Sequence, residues 1–479
     1  MFNRPQVRDI LASGEIGTST EVMGWVVTKR TQKTFSFIEL NDGSVLNGLQ
    51  IIVDNTIPNY DENIVLAGTG ASIRIVGRIV ASQGAKQRIE VHADELEIIG
   101  TVPESYPLQK KRQGPEFLRA NAHIRSRTKV MGMSTRVRGA CAQAVHKFFR
   151  DHNFHYVHTP IITASDCEGA GEMFQVTTLD LENPPRLGNK ADAPIDFSQD
   201  FFGKKTFLTV SGQLSAENLA CGLSRVYTFG PTFRAENSNT SRHASEFWMI
   251  EPELAFADLN ADADLAEAFL QGVIKDVMDN CQEDLEFCEQ IITNKKFSSP
   301  FFDGSKVSLL QTLEQVVNTP FQRVTYTEAI DLLNKSGKKF DHPTNWGDAL
   351  QTEHERYLSE ELFKAPTIVT DYPASFKSFY MYLNDDGKTV RAMDVLVPRI
   401  GELIGGSQRE DRLDVLKERI GHHVLDEKDY WWYLNLREFG TVPHAGFGLG
   451  FERLVMYVTG LSNIRDVISF PRTPKHAEF

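Results

Sequence analysis

The first hundred residues alternate apolar and polar positions in short bursts at 24–27, 35–40, 49–53, 71–80 and 88–92, with turn signals such as Asn41-Asp42-Gly43 and Ser82-Gln83-Gly84 between them. A period of two with that punctuation predicts five strands. Phe35 and Phe37 alternate and therefore share a face, either inside the resulting barrel or outward as a stacking platform. Beyond a proline-containing stretch at 103–115, apolar residues recur at helical spacing from about 127 to 151. His152-Asn153 ends that helix, and a strand closing at Thr159-Pro160 follows. The middle, 257–364, shows helical segments and Pro- and Phe-containing connectors but no motif. Within it, Glu353-His354-Glu355-Arg356 lacks HExxH spacing and reads as a charged helix surface.

The chain has 479 residues, 41% of them hydrophobic, enough for two or three domains. Five cysteines without a CxxC argue against a disulfide framework or a zinc knuckle and favour a reducing compartment. The N-terminus carries no apolar targeting run, and nowhere do 18 apolar residues follow one another, so a soluble cytoplasmic protein without a membrane partner is expected. The net charge of −13 is unevenly spread: residues 1–150 carry 20 Lys+Arg against 14 Asp+Glu, and 106–150 hold eleven basic residues and one acidic, Glu116. That stretch is either a solvated surface or a basic hinge facing a nucleic-acid backbone.

Three blocks carry the chemistry: FRAE (233–236), RHASEFWMIE (242–251) and GLGFER (448–453). Arg234 and Glu236 stand at i and i+2, on one face if the segment is a strand. Phe247 offers a surface for a flat base, and Arg453 a second guanidinium for phosphate or for stacking. No GxxxxGK[ST] loop and no GxGxxG cradle is present, so arginines must hold a nucleotide triphosphate.

Arginine-based ATP binding on antiparallel strands resembles the class II aminoacyl-tRNA synthetases, with FRAE as motif 2, GLGFER as motif 3 and the helix and strand of 127–160 as motif 1, which forms the dimer interface in that family. The five-strand domain is similar to the OB-fold anticodon barrel of the class IIb members for aspartate, asparagine and lysine. The implied fold is therefore α+β: an OB-fold barrel at 1–105, a basic hinge at 106–125, and at 126–479 a class II catalytic domain with an antiparallel sheet flanked by helices and an insertion at about 257–364. The resemblance implies that Phe37 stacks on an anticodon base while Arg30 and Gln50 read base edges. It assigns Arg234, Glu236 and Arg453 to catalysis and Arg234, Glu236, Arg242, His243, Phe247, Glu402, Gly450 and Arg453 to ATP. Glu168 and Gln213 would hold the substrate ammonium, with Ser211, Arg234, Glu251 and Arg409 completing the amino-acid site. Glu402, with Asp394 as second carboxylate, would hold Mg2+.

The resemblance is greatest to the bacterial-type asparagine branch. Arg409 matches an arginine found in both aspartate and asparagine members, so the choice depends on its company. Where aspartate members place a lysine after SPQL, Gln213-Leu214 is here followed by Ser215-Ala216. A substrate carboxylate would lack its second counter-charge. Glu251 stands where aspartate members have aspartate, and could accept from an asparagine amide or pair with a nearby arginine. The expected activity is ATP-dependent attachment of L-asparagine to tRNA(Asn) through an adenylate, by a homodimer. The alternatives are an aspartyl or non-discriminating enzyme and, more distantly, a catalytically silent RNA-binding relative.

Overall fold

The computed structural model describes residues 4–479 except 85–86, 112, 168–171, 191, 239, 295–298, 303–306 and 424. The chain divides into two compact units, 1–136 together with 479, and 137–478.

In the first unit, α1 (Val7–Ser13) precedes β1 (Ser19–Thr31), β2 (Phe35–Asn41), β3 (Leu49–Asp54), α2 (Tyr60–Leu66), β4 (Ser72–Ala81) and β5 (Ile89–Gly100), with α3 (Pro115–Ala120) after them. The strands close into a barrel in the order β1-β2-β3-β5-β4. Alternation decides what faces inward: Ile38, Leu40, Leu49, Ile51, Val53, Ile73, Ile75 and Val91 are buried together. On β2 the buried positions are Ser36, Ile38 and Leu40, so Phe35 and Phe37 lie on the outer face and are not barrel core.

The helix α4 (Lys129–Asp151) spans the division and ends where Asn153 takes a left-handed conformation. The strand after it, β6 (His155–Tyr156), is two residues long and stops short of the expected Thr159-Pro160. Next come β7 (Ile162–Thr163), β8 (Gln175–Val176) and β9 (Thr206–Leu208), which form a small sheet, then α5 (Gln213–Leu223), β10 (Arg225–Phe233) and β11 (Glu246–Ala255). The stretch expected as an insertion holds α6 (Leu259–Asn280), α7 (Gln282–Thr293), α8 (Leu309–Asn318), β12 (Gln322–Thr325), α9 (Tyr326–Lys335) and α10 (Thr352–Arg356), which runs into a π-helical turn, Tyr357–Leu362. The chain closes with β13 (Thr367–Pro373), β14 (Thr389–Val397), β15 (Gly401–Gln408), α11 (Leu413–His422), α12 (Trp431–Glu438), β16 (His444–Gly450) and α13 (Phe451–Thr459).

Eight strands form the main sheet in the order β12-β13-β14-β15-β16-β11-β10-β6. Its interior pairs are antiparallel and its two outermost pairs, β12/β13 and β10/β6, are parallel. The α6 helix packs its apolar face against the main sheet. Asp258 caps it by accepting from the Ala261 amide at 2.9 Å. Its Ala266, Phe269, Leu270, Val273, Ile274 and Val277, spaced three and four apart, are fully buried. Burying a side chain such as Phe269 contributes about 1.5–3 kcal/mol, and the Phe269 ring lies 5.7 Å from that of Phe447 on β16. The opposite face of the central strands is left to line a cavity.

Candidate active site

The cavity, about 340 Å³, is walled by β11, β15, β16 and the segment joining β10 to β11. Phe247, Met249 and Glu251 alternate along β11 and all three reach it. Arg234 and Glu236 also line it, although they lie just past the end of β10 and not on a strand. The Arg234 amide donates to Ser245 O at 3.0 Å, and its guanidinium stands 5.4 Å from the centroid of the Phe247 ring.

Gly405 and Gly448 are cross-strand partners, and with Gly450 they give the cavity a floor of bare backbone. A flat ligand can lie against such a surface. Arg242, His243 and Arg453 stand around it. His243 Nδ1 is tied to Thr240 Oγ1 at 2.5 Å, and Arg242 Nη1 donates to Thr352 Oγ1 at 3.1 Å. Burial, and then the charge of Arg453, hold Arg242 below the usual arginine range. Both effects leave it wanting an anion. Glu452 accepts from the Trp248 amide at 2.9 Å and from Arg138 at 2.7 Å, which anchors the start of α13 and with it Arg453.

Glu402 lies 3.8 Å from Arg453 Nη1. Asp394 is gripped by Lys377 Nζ, at 3.1 and 3.0 Å from its two oxygens, and does not line the cavity. A Cβ built on Gly405 would meet Glu402 Oε1 at 3.4 Å and Asp394 Oδ1 at 3.6 Å, so both carboxylates converge above that glycine. Burial and then the like charge of Asp394 raise Glu402 above the usual carboxylate range. Among the described residues no three His, Cys, Asp or Glu side chains could hold a metal ion. Two carboxylates sharing a cation with nucleotide phosphates is the usual magnesium arrangement, and the pair fits it. The 353–356 block corrects its sequence reading: His354 is 1% exposed and Glu355 Oε2 accepts from the Glu402 amide at 3.0 Å, so neither faces solvent as a charged surface would.

At the other end of the cavity are Ser211, Gln213 and Glu251. Glu251 accepts from Ser211 Oγ, from the Gly212 amide at 3.0 Å and from Thr228 Oγ1 at 3.0 Å. It holds the turn that opens α5, and of about four acceptor positions on a carboxylate one remains. Gln213 Nε2 donates to Glu217 Oε1 at 3.1 Å, which turns its own carbonyl oxygen away from that bond.

Glu217, which the sequence analysis passed over, is the hub of the buried side of this pocket. Fully buried, it also receives Tyr433 Oη at 2.7 Å, Arg437 Nη2 at 3.2 Å and His444 Nε2 at 2.9 Å, and lies 3.9 Å from Arg409 Nε. Burial pushes its carboxyl up, but His444, Arg437 and Arg409 outweigh that and bring it to about 2. Arg409 is 2% exposed and lies behind the cavity wall, 5.4 Å from the ring of Tyr380, which does line it. Glu253 takes Arg409 with both oxygens, and Arg409 Nη1 donates to Ser407 Oγ at 2.8 Å. Three of its five N–H groups are thus engaged, two in a fork on one carboxylate. Burial pushes the Glu253 carboxyl up and the charge of Arg409 opposes it; a fork in which both oxygens accept from one guanidinium is the geometry of the ionised form. Glu168 lies outside the described residues.

On the barrel, Arg30 and Phe37 are register partners on β1 and β2, and the Phe35 and Phe37 rings meet edge to face at 5.0 Å. Gln50 pairs with Glu39 in the ladder and donates to Glu90 Oε2 at 2.7 Å. Arg30, Phe37 and Gln50 therefore share one outer surface.

The chain belongs to the class II tRNA synthetases of the D, K and N group, whose family model matches residues 114–474, while an OB-fold nucleic acid binding domain matches residues 20–99. It is 58% identical to the asparagine–tRNA ligase of a Nostoc species over 480 residues, covering all of both chains, and 57% identical to that of Clostridium tetani, covering 96% and 95%. Among solved structures it is similar to the asparaginyl-tRNA synthetase of Pyrococcus horikoshii complexed with asparaginyl-adenylate, with a TM-score of 0.83, 31% identity and all of both chains covered.

Proposed function

We propose that this chain attaches L-asparagine to tRNA(Asn), using ATP to form an asparaginyl-adenylate and releasing AMP and pyrophosphate. Full-length identity of 58% and 57% to asparagine–tRNA ligases supports the reaction. The observation that carries the choice of asparagine is the charge balance around Arg409: Glu253 and Glu217 already neutralise it, and no lysine follows Gln213 in α5. Ala216 is fully buried in an apolar cluster with Ala220 and Val226. An aspartate side chain would enter a dry site without a spare cation, whereas the asparagine carbonyl needs only an N–H, of which Arg409 has two left.

The substrate carboxylate attacks the α-phosphorus in line, the bond to pyrophosphate breaks, and its charge is spread over Arg234, Arg242, His243 and Arg453. Adenine stacks on Phe247 and is covered by Arg453. Arg234 now faces that ring, and it would turn toward the α-phosphate and the substrate carboxylate as the nucleotide enters, with Glu236 beside it and the Gly450 backbone below. Glu402, with Asp394 as second carboxylate, would hold Mg2+, which would supply charge neutralisation to the phosphates. Ser211, Gln213 and Glu168 would receive the substrate ammonium, and the last acceptor position of Glu251 suits an amide N–H. The 3′-hydroxyl of the tRNA then attacks the activated carbonyl and AMP leaves. Positioning and electrostatic field suffice, without a protein nucleophile. Arg30, Phe37 and Gln50 read the anticodon, within a division into barrel, hinge and catalytic domain at 105 and 125. A cytoplasmic homodimer joined through the α4 region completes the proposal.

ATP–pyrophosphate exchange, with asparagine or aspartate and with or without tRNA, tests it. Exchange with asparagine alone is expected. Equal exchange with aspartate would overturn the charge argument and favour a non-discriminating enzyme.

A further inference from the structure

Glu402 stands on a distorted hairpin. The register between β14 and β15 shifts between Val395, which faces Ile404, and Leu396, which faces Glu402. Such a bulge re-aims the side chains beside it, and something must hold the new direction. The atom in place to do so is Glu355 Oε2, which accepts from the Glu402 amide at 3.0 Å.

The fit is tight enough to dictate the neighbouring residue. Gly401 has φ +81°, and a Cβ there would lie 2.3 Å from Glu355 Oε2 and 3.1 Å from Glu355 Cβ. Glycine is therefore required twice, by the backbone conformation and by the approach of the carboxylate. On the same short helix, Thr352 receives Arg242 from the β10–β11 connection, and the following π turn supplies Glu360, which accepts from the Arg399 amide at 2.5 Å. The segment from 352 to 360 thus meets the hairpin on both sides of its bend and also touches an arginine of the nucleotide wall.

We propose that Glu355 is a positioning residue that fixes Glu402, and with it the metal-binding end of the site, through a carboxylate-to-amide hydrogen bond that only glycine at 401 permits. This rests on the assignment of Glu402 to Mg2+ in the proposed function. Glu355 acts through the backbone and is not itself a ligand. Its acceptor oxygen therefore matters, and its charge does not.

The full-length protein is titrated with Mn2+ in the presence of α,β-methylene-ATP, with bound Mn2+ read by electron paramagnetic resonance. Removing a group that orients a metal ligand costs 10–100-fold in affinity, so Glu355→Ala is expected to weaken Mn2+ binding at least about 10-fold. Glu355→Gln keeps an acceptor oxygen and is expected to stay within about 3-fold of wild type, whereas Gly401→Ala, which pushes the acceptor away, should resemble Glu355→Ala. Unchanged binding in Glu355→Ala would overturn the proposal. So would a Glu355→Gln variant as weak as Glu355→Ala, since the carboxylate would then be a ligand. If wild type itself bound no Mn2+ with the nucleotide, the metal assignment would fail together with the inference. Wild-type exchange with asparagine tests the reaction separately.

Discussion

Replacing Glu217 with glutamine removes one negative charge from a fully buried site. Arg437 is completely buried and Arg409 nearly so, and they share Glu217, with Glu253 the other carboxylate that pairs with Arg409 among the described residues. Breaking a buried pair by deleting one partner costs about 3–5 kcal/mol, because the remaining charge is left uncompensated. In a domain of this size that corresponds to a fall in midpoint of roughly 6–10 °C. With the glutamine oxygen kept at the Oε2 position, where Tyr433, Arg437 and His444 donate, its NH2 would face the Gln213 amide in place of an acceptor, so the KM for asparagine should rise while the KM for ATP, whose proposed contacts lie at the other end of the cavity, stays close to wild type. Thermal unfolding by circular dichroism and separate KM titrations measure the two effects. A second substitution, Arg437→Met, should recover part of the lost stability, since it removes the orphaned cation. A Glu217→Gln midpoint within 2 °C of wild type, with unchanged asparagine KM, would refute the view that Glu217 organises the pocket (thresholds of about that size follow from the same estimate).

Three further outcomes are expected. Arg234→Ala should lower pyrophosphate exchange at least about 100-fold, the usual loss for one preorganised charge-stabilising donor, with tRNA binding in a filter assay retained; near-normal exchange would remove Arg234 from the chemistry. Phe37→Ala should weaken tRNA binding by about 1–3 kcal/mol, as for other base-stacking aromatics, and leave exchange without tRNA unchanged; an unaltered affinity would show that the base does not stack there. Asp262 is fully buried, neither of its carboxylate oxygens has a hydrogen-bond partner among the described residues, and burial raises it to about 8. The native state then holds a proton that the unfolded chain releases near the ordinary carboxylate value, so this contribution to stability is full at low pH and is lost as pH rises toward 8. Asp262→Asn should flatten the fall in unfolding midpoint between pH 5 and pH 8, and an identical slope in both proteins would contradict the assignment (the window follows from the usual aspartate value of about 4).

The barrel was legible because one face of each strand is buried, and that writes a period of two into residues such as Ile38 and Leu40 or Ile73 and Ile75. The ends were less so: β1 begins at Ser19 and β5 runs to Gly100, where polar residues such as Glu95 and Glu97 occupy exposed positions and break the pattern. The short β6 strand gave no pattern, since both its residues are exposed. Residues that touch the cavity stood in compact motifs. Their supports did not, because Glu217, Arg437 and His444 come from α5, α12 and β16, and Lys377 reaches Asp394 from outside any strand. Two local signals were available. Glu217 stands four residues after Gln213 on a helix, and Glu253 two residues after Glu251 on a strand, spacings that place each pair on one face. The meaning of Glu355 had no local signal, since its partner amide is 47 residues away.

The two ends of the cavity differ in how they treat charge, and that difference bears on selection. At the nucleotide end Arg234, Arg242 and Arg453 face an open, glycine-floored space with Glu402 opposite, so an entering polyanion meets three guanidinium groups at the cavity surface. At the amino-acid end Arg409 and Arg437 are already matched to Glu217 and Glu253 behind the wall. A triphosphate thus gains neutralisation on entry, whereas a side-chain carboxylate would be desolvated without any. A neutral amide loses less, provided its carbonyl and its N–H groups are each met, and Arg409 and Glu251 retain free valences of the two required kinds. Hydrogen-bonded selection of that kind rejects a ligand by the polar groups it would leave unpaired, so it can separate side chains of nearly equal size. Adding a cation to this end should then admit aspartate more effectively than enlarging the pocket would, because volume is not what excludes it.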